Sequence, residues 1–145
     1  ITDRVETSYD VKNLGWNYYM NEFSAAIGLA QLTKLTKLNN VRKNFAKEYY
    51  KKINIDSKMP YDKNCSYHFY WILVKDRDKI RNKLKNKGIE TGTHYQPIHK
   101  MSYYSQKNKI PFTEMFSKNI ITLPTHPNLT NSNLQFIIEE INKII

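Results

Sequence analysis

The chain has 145 residues, 40% of them hydrophobic and 25% charged, which suits one globular domain with its own core and excludes a disordered chain. No apolar run approaches the ~20 residues that cross a bilayer, and residues 1–6 carry no basic stretch leading into an apolar one, so neither a membrane span nor a secretory signal is expected. Cys65 is the only cysteine, which excludes an intrachain disulfide and makes the cytoplasm the expected compartment. The net charge of +10 comes from lysines spread through every segment, a solvated surface rather than the clustered basic face that nucleic acid requires.

Residues 1–15 are polar and without period and read as a leading segment tethered to something upstream, mobile when alone. The absence of an initiator Met before Ile1 points the same way, to a piece of a longer polypeptide. From Asn21 to Ile53 apolar residues recur every three or four positions (Phe23, Ile27, then Leu35, Leu38, Val41, Phe45, Tyr49), which predicts one amphipathic helix capped by Asn21. At 1.5 Å per residue such a helix runs about 50 Å, longer than a domain this small needs. Its start is lined by Ala25, Ala26, Gly28 and Ala30, small residues that favour close approach by a partner domain or subunit.

After the loop at Pro60, Tyr67 to Val74 is almost continuously apolar and reads as a central strand buried on both faces. Asp76 leads into a short helix with Ile80 and Leu84, stopped by Lys85, Lys87 and the left-handed cap of Gly88. A second strand over Ile89–Tyr95, an irregular aromatic loop over Pro97–Gln106, a short helix over Phe112–Asn119 and a third strand over Ile120–Leu123 follow. Thr130 caps a last helix whose Leu134, Ile137, Ile138, Ile141 and Ile145 form one apolar stripe. The fold class expected is α/β: a two-layer sandwich with a small, mostly antiparallel sheet, helices on one face, and one long helix in front.

The chemistry legible from residue types is sparse. His68, His94, His99 and His126 are scattered, no HExxH or CxxC occurs, and Gly15, Gly28, Gly88 and Gly92 make no phosphate loop, so no metal site and no mononucleotide fold is expected. No catalytic nucleophile is marked, and Cys65 reads as a half-buried thiol. The most unusual stretch is Thr91-Gly92-Thr93-His94-Tyr95-Gln96-Pro97-Ile98-His99, where a strand ends in a loop bearing two imidazoles and a phenol. Such rings can read hydroxyl or phosphate groups of a ligand, or can simply be half-exposed loop residues.

Three stretches in order resemble one family. Leu14-Gly15-Trp16-Asn17-Tyr18-Tyr19-Met20-Asn21-Glu22 with the Ala25-Ala26-Ile27-Gly28 helix start is similar to its Gly-Tyr-Asn-Tyr-Arg-Met-Thr-Glu segment; Lys87-Gly88-Ile89-Glu90-Thr91-Gly92-Thr93-His94-Tyr95 through Pro97-Ile98-His99 and Leu123-Pro124-Thr125-His126-Pro127 resemble its other two blocks. The family is that of the DegT/DnrJ/EryC1/StrS aminotransferases. The resemblance implies the C-terminal small domain (residues 21–145, including the helix 21–53, with 1–20 leading in from a large domain) of a homodimeric pyridoxal-phosphate enzyme. That enzyme would move an amino group from glutamate to a nucleotide-linked keto sugar in amino-sugar or polysaccharide biosynthesis.

The resemblance also implies that the cofactor's lysine precedes Ile1, which would leave this chain inactive alone and without catalytic residues of its own. By the same resemblance Asn17 reaches across the dimer to the cofactor phosphate, and Tyr95 and His99 stand near the substrate mouth. Tyr19 replaces the family's arginine and Asn21 its threonine, so a charged fork for phosphate is lost at position 19. Some members are dehydratases with histidine in place of the lysine. Two other readings of the residues remain: a free-standing basic binding module and a pure oligomerisation domain using the Ala-rich helix end.

Overall fold

The computed structural model describes residue 10, residues 12–104 and residues 109–145. Among them the elements run α1 (Glu22–Lys52), β1 (Tyr70–Leu73), α2 (Arg77–Asn86), two 3-10 turns (Ile98–Lys100 and Ser102–Tyr104), α3 (Pro111–Asn119), β2 (Ile120–Leu123) and α4 (Asn131–Ile144). Of the leading segment, residues 1–9 and 11 lie outside the described residues. Asp10 accepts hydrogen bonds from the Ser102 backbone N–H, at 2.6 Å, and from the Ser102 hydroxyl, which ties position 10 to the second 3-10 turn.

α1 begins where the cap residue predicts, with the Asn21 carboxamide oxygen accepting from Ser24 N–H at 2.9 Å. Its 31 residues extend about 46 Å at 1.5 Å per residue. Only the far end enters the core, through Phe45, Ala46 and Tyr49, with Val41 packed against them. The near end presents Phe23, Ile27, Leu29 and Leu32 to solvent, Phe23 being 83% exposed. The predicted excess length is therefore real, and the apolar side chains at its start are exposed among the described residues. The other end is held by α4: Asn142 donates to the Lys52 carbonyl at 2.8 Å and accepts from Asn54 N–H at 2.9 Å, satisfying groups the helix terminus leaves over.

β1 and β2 pair antiparallel with Tyr70 opposite Leu123 and Ile72 opposite Ile121. β1 is central as expected, because its other side bridges Lys58, with Met59 N–H donating to the Trp71 carbonyl and Leu73 N–H to the Ser57 carbonyl. It is not buried on both faces. Tyr70 and Ile72 turn inward to α1, α2 and α4, whereas Phe69, Trp71 and Leu73 are only half-buried on the outer face. Covering an inner-face side chain of this size contributes roughly 1.5 to 3 kcal/mol, so the helical layer on one face suffices to hold the sheet.

The strand predicted over Ile89–Tyr95 reduces to one bridge, Gly92 with Thr122. Two competing interactions explain the loss. The Arg81 guanidinium takes the Thr91 carbonyl at 2.6 Å and its hydroxyl at 3.2 Å, so a ladder partner is replaced by a side chain. Beyond Gly92, His94 leaves the sheet line to stack on Phe69 at 5.4 Å.

The remaining stops behave as read. Gly88 closes α2 at φ +76°, with Gly88 N–H donating to the Lys85 carbonyl and Ile89 N–H to that of Leu84. α3 starts one residue early, at Pro111, where a missing N–H costs nothing. Thr130 accepts from Asn133 N–H at 3.2 Å to cap α4. α4 buries Leu134, Ile137, Ile138 and Ile141, but Ile145 stands past the last turn and is exposed. Glu140 sits buried on the same helix, within 2.7 Å of Lys143 and 3.7 Å of Lys87 at the end of α2.

Candidate functional site

The outer face of the sheet, left open by the helices, is where the unusual residues gather. Gly92 pairs both ways with Thr122, its N–H donating at 3.0 Å and its carbonyl accepting at 2.8 Å. A Cβ at Gly92 would stand 2.7 Å from both His94 Cε1 and Thr122 Oγ1, so only glycine lets the imidazole fold back here. His94 Nδ1 hydrogen bonds with Thr122 Oγ1 at 2.7 Å, and the ring lies nearly parallel to Phe69, 11° apart. Tyr95 stands edge-on to both, 4.8 Å from His94 and 6.1 Å from Phe69. These contacts hold the Tyr95 ring in one orientation while 56% of the residue stays exposed.

Tyr95 separates two adjoining clefts. The first, about 340 Å³, is lined by His94, Tyr95, Phe112, Phe116, Ser117 and Ile120 and carries no charged side chain. The second, about 210 Å³, is lined by Arg77, Thr93, Tyr95, Gln96, Lys100 and Lys118, with Ser117 shared with the first. Among the described residues no carboxylate lines either cleft.

Carboxylates do stand behind the second cleft. Asp78 lies 2.9 Å from Arg77 Nε, and Arg77 also donates to the Ser117 carbonyl. Glu114, on α3, is 2.9 Å from Lys100 Nζ and 3.6 Å from His99 Nε2. The Lys100 ammonium beside it, then the Ile110 N–H, hold the Glu114 carboxyl below its ordinary value.

The three residues implied by the resemblance are therefore in different surroundings. Tyr95 is the wall common to both clefts. His99, buried at its Nε2 without a hydrogen bond, faces Glu114 and lines neither cleft. Asn17 lies on an exposed stretch with Leu14, Trp16, Tyr18, Tyr19 and Met20, Trp16 being 81% exposed, and has no hydrogen-bond partner among the described residues. Sequence reasoning missed Phe69, Thr122, Arg77, Lys118, Phe112 and Phe116. The i, i+4 spacing of Phe112 and Phe116 on one helix face was the available signal, and both are exposed in the structure. Cys65 is half-buried against the core, and no group of metal ligands occurs among the described residues. Among the described residues no helix is long and apolar enough to cross a membrane.

Known proteins match this chain over nearly all of it. It is 34% identical over 137 residues to GDP-perosamine synthase of Escherichia coli O157:H7, and 27% identical over 143 residues to the dTDP-4-dehydro-2,3,6-trideoxy-D-glucose 4-aminotransferase of Saccharopolyspora spinosa. These alignments cover 90% and 93% of the chain but only 38% and 37% of the relatives, so the chain spans about two fifths of their length. Among solved structures, Helicobacter pylori PseC, an aminotransferase involved in the biosynthesis of pseudoaminic acid, superposes with a TM-score of 0.77 at 30% identity, over 93% of this chain and 40% of that one. The aminotransferase TlmJ of Streptoalloteichus hindustanus gives 0.79 at 26% identity, over 94% and 39%. The model of the DegT/DnrJ/EryC1/StrS aminotransferase family matches residues 2–142, and the chain belongs to that family.

Proposed function

We propose that this chain is the C-terminal small domain of a pyridoxal-phosphate aminotransferase that carries an amino group from glutamate to a nucleotide-linked keto sugar. The observation that carries the reading is the family match over residues 2–142, together with the 34% identity to an enzyme named for making a nucleotide-linked amino sugar. The exposed apolar start of α1 supports it, because Phe23, Ile27, Leu29 and Leu32, spread around the helix, call for a large domain or a second subunit.

Pyridoxal phosphate needs a lysine for its aldehyde, a carboxylate at its ring nitrogen and a cup of donors for its phosphate. Neither cleft has a carboxylate in its lining, so the described residues do not make that site by themselves, and no step of the reaction is assigned to them. What they fit is a rim. The exposed Asn17 amide, four residues ahead of Asn21 and the α1 start, is free to donate to the phosphate of a neighbouring subunit's cofactor. Tyr95, held edge-on by His94 and Phe69 and more than half exposed, is suited to a place at the substrate mouth. His99 acts from behind, through Glu114 and the turn that follows Pro97.

The test is made on the full-length polypeptide. Its purified form should absorb in the visible through the cofactor's imine, and the band should bleach on adding glutamate, while the 145-residue chain stays colourless. A colourless full-length protein would sink the aminotransferase reading and leave a binding or association module; a coloured one that glutamate leaves unchanged would point to a dehydratase.

A further inference from the structure

We infer that Glu114 is a positioning residue, which sets where α3 stands against the turn that follows Tyr95. The inference rests on the reading above for the place of Tyr95 and deepens it by naming the group that fixes that place from behind. α3 buries none of its nine residues, and Phe112, Met115 and Phe116 are all exposed. Packing therefore holds the helix weakly, and its polar ties decide where it lies.

Those ties differ at its two ends. At the C-terminal end Val74 N–H donates to the Asn119 carbonyl at 2.9 Å, Arg77 donates to the Ser117 carbonyl, and the chain runs straight into β2. That end is a fixed pivot. In the first turns, among the described residues, every hydrogen bond or ion pair to another element runs through Glu114. Its Oε2 lies 2.9 Å from Lys100 Nζ and its Oε1 3.6 Å from His99 Nε2, so one carboxylate meets two successive residues of the 3-10 turn.

The turn is the rigid partner. Pro97 holds φ at −59°, Lys100 N–H donates to the Pro97 carbonyl at 2.9 Å, Met101 N–H donates to that of Ile98 at 3.0 Å, and Met101 is buried. The Lys100 ammonium first, then the Ile110 N–H, hold the Glu114 carboxyl below its ordinary value, so it is ionised at neutral pH and keeps its grip there. Glu114 stands two residues from both Phe112 and Phe116, about 200° around the helix, and lines neither cleft. It acts only by holding helix and turn at one separation, and Phe112, Phe116 and Tyr95 keep their spacing through it.

On the full-length protein, Glu114→Gln keeps the size of the side chain and removes its charge. Hydrogen exchange read by mass spectrometry should rise about two- to fivefold in peptides covering residues 109–117. Exchange in α2 and α4 and the thermal midpoint should stay close to wild type. Glu114→Lys should loosen the same peptides further, and adding Lys100→Glu should restore them, because the pair then re-forms with its signs exchanged. Where glutamate bleaches the protein, Glu114→Gln should raise the half-saturating glutamate concentration about two- to fivefold at an unchanged limiting rate, the pattern of lost positioning rather than lost chemistry.

Wild-type exchange in Glu114→Gln overturns the inference, as does exchange that rises throughout the domain or that the exchanged pair fails to restore. Glutamate kinetics identical to wild type, or a fall in the limiting rate alone, overturn it too. A colourless protein with the local exchange response keeps Glu114 in this role and loses the aminotransferase reading. A protein that bleaches with glutamate but lacks the local response keeps that reading and loses this assignment.

Discussion

Replacing Tyr49 by Phe removes one hydroxyl from the seam where α1 meets the end of the sheet. Tyr49 is fully buried, donates to the Pro124 carbonyl at 2.7 Å, and packs its ring 5.3 Å from that of Tyr70. The ring and its aromatic contact survive in Phe, so the loss is one hydrogen bond plus a partly buried carbonyl left without its donor, about 1 to 2 kcal/mol. Tyr49→Ala also removes the ring and should cost about 3 to 5 kcal/mol. Equilibrium urea unfolding reads both, as a lower midpoint at unchanged slope.

A second readout is independent of the first. Burial pushes the Tyr49 phenol up from its ordinary 10.0, so the folded state keeps a proton that the unfolded chain releases. Its contribution is whole below pH 10 and falls as the pH rises above it, with a slope of about 1.4 kcal/mol per pH unit. Tyr49→Phe should flatten that alkaline decline, leaving the part due to Tyr67 and Tyr70, whose phenols burial also raises. A Tyr49→Phe protein within about 0.3 kcal/mol of wild type at pH 7, with an unaltered alkaline limb, would refute the claim that this hydroxyl joins α1 to the sheet.

Three further outcomes are expected. Glu140 is held below its ordinary 4.5 first by its hydrogen bond to Lys143, with Lys87 adding to it; its contribution is therefore present above pH 4.5 and lost as the pH falls through the lower folded value. Thermal midpoints of wild type and Glu140→Gln should differ at neutral pH and converge in acid. Gly92→Ala should cost about 1 to 3 kcal/mol and abolish the upfield shift that Phe69 imposes on the His94 ring protons, read by NMR. Phe23→Ser with Ile27→Ser, which exchanges residues of similar helix propensity at exposed positions, should leave the unfolding free energy of the 145-residue chain within about 0.5 kcal/mol and lower the mass of the full-length assembly in light scattering.

The helices were legible because their signals are local. Asn21, Thr130 and Gly88 cap by bonds to residues three or four away, and the stripe from Leu134 to Ile141 needs only a 3.6-residue period. The segment Ile89–Tyr95 was misread because its rivals are not local: Arg81 reaches over from α2, and Phe69 reaches across from the approach to β1. The apolar run Tyr67–Val74 concealed a division of labour that composition does not encode, with Tyr70 and Ile72 serving the core and Phe69 serving as a platform for His94. Of the residues lining the second cleft, Tyr95 stands in a motif legible in the sequence, whereas Arg77 and Lys118 are ordinary members of a lysine-rich sequence until folding places them on one cleft.

The open outer face and the bare start of α1 have a common physical meaning. A chain that needed only to be stable would cover Phe23, Ile27, Leu29 and Leu32, at roughly 1.5 to 3 kcal/mol apiece for full burial, and would not hold Tyr95 half in solvent by two edge-on rings. Here the inner face of the sheet is closed by α1, α2 and α4, with Tyr49, Tyr70, Ile72, Leu84, Ile121 and Ile141 almost wholly withdrawn from water. Stability is thus supplied on one side of β1 and β2, which leaves side chains on the other side free of the demands of core packing. The same separation divides α1 along its length: its last turns anchor the domain through Phe45 and Tyr49, and its first turns, together with Trp16, Tyr18 and Met20, stand exposed among the described residues.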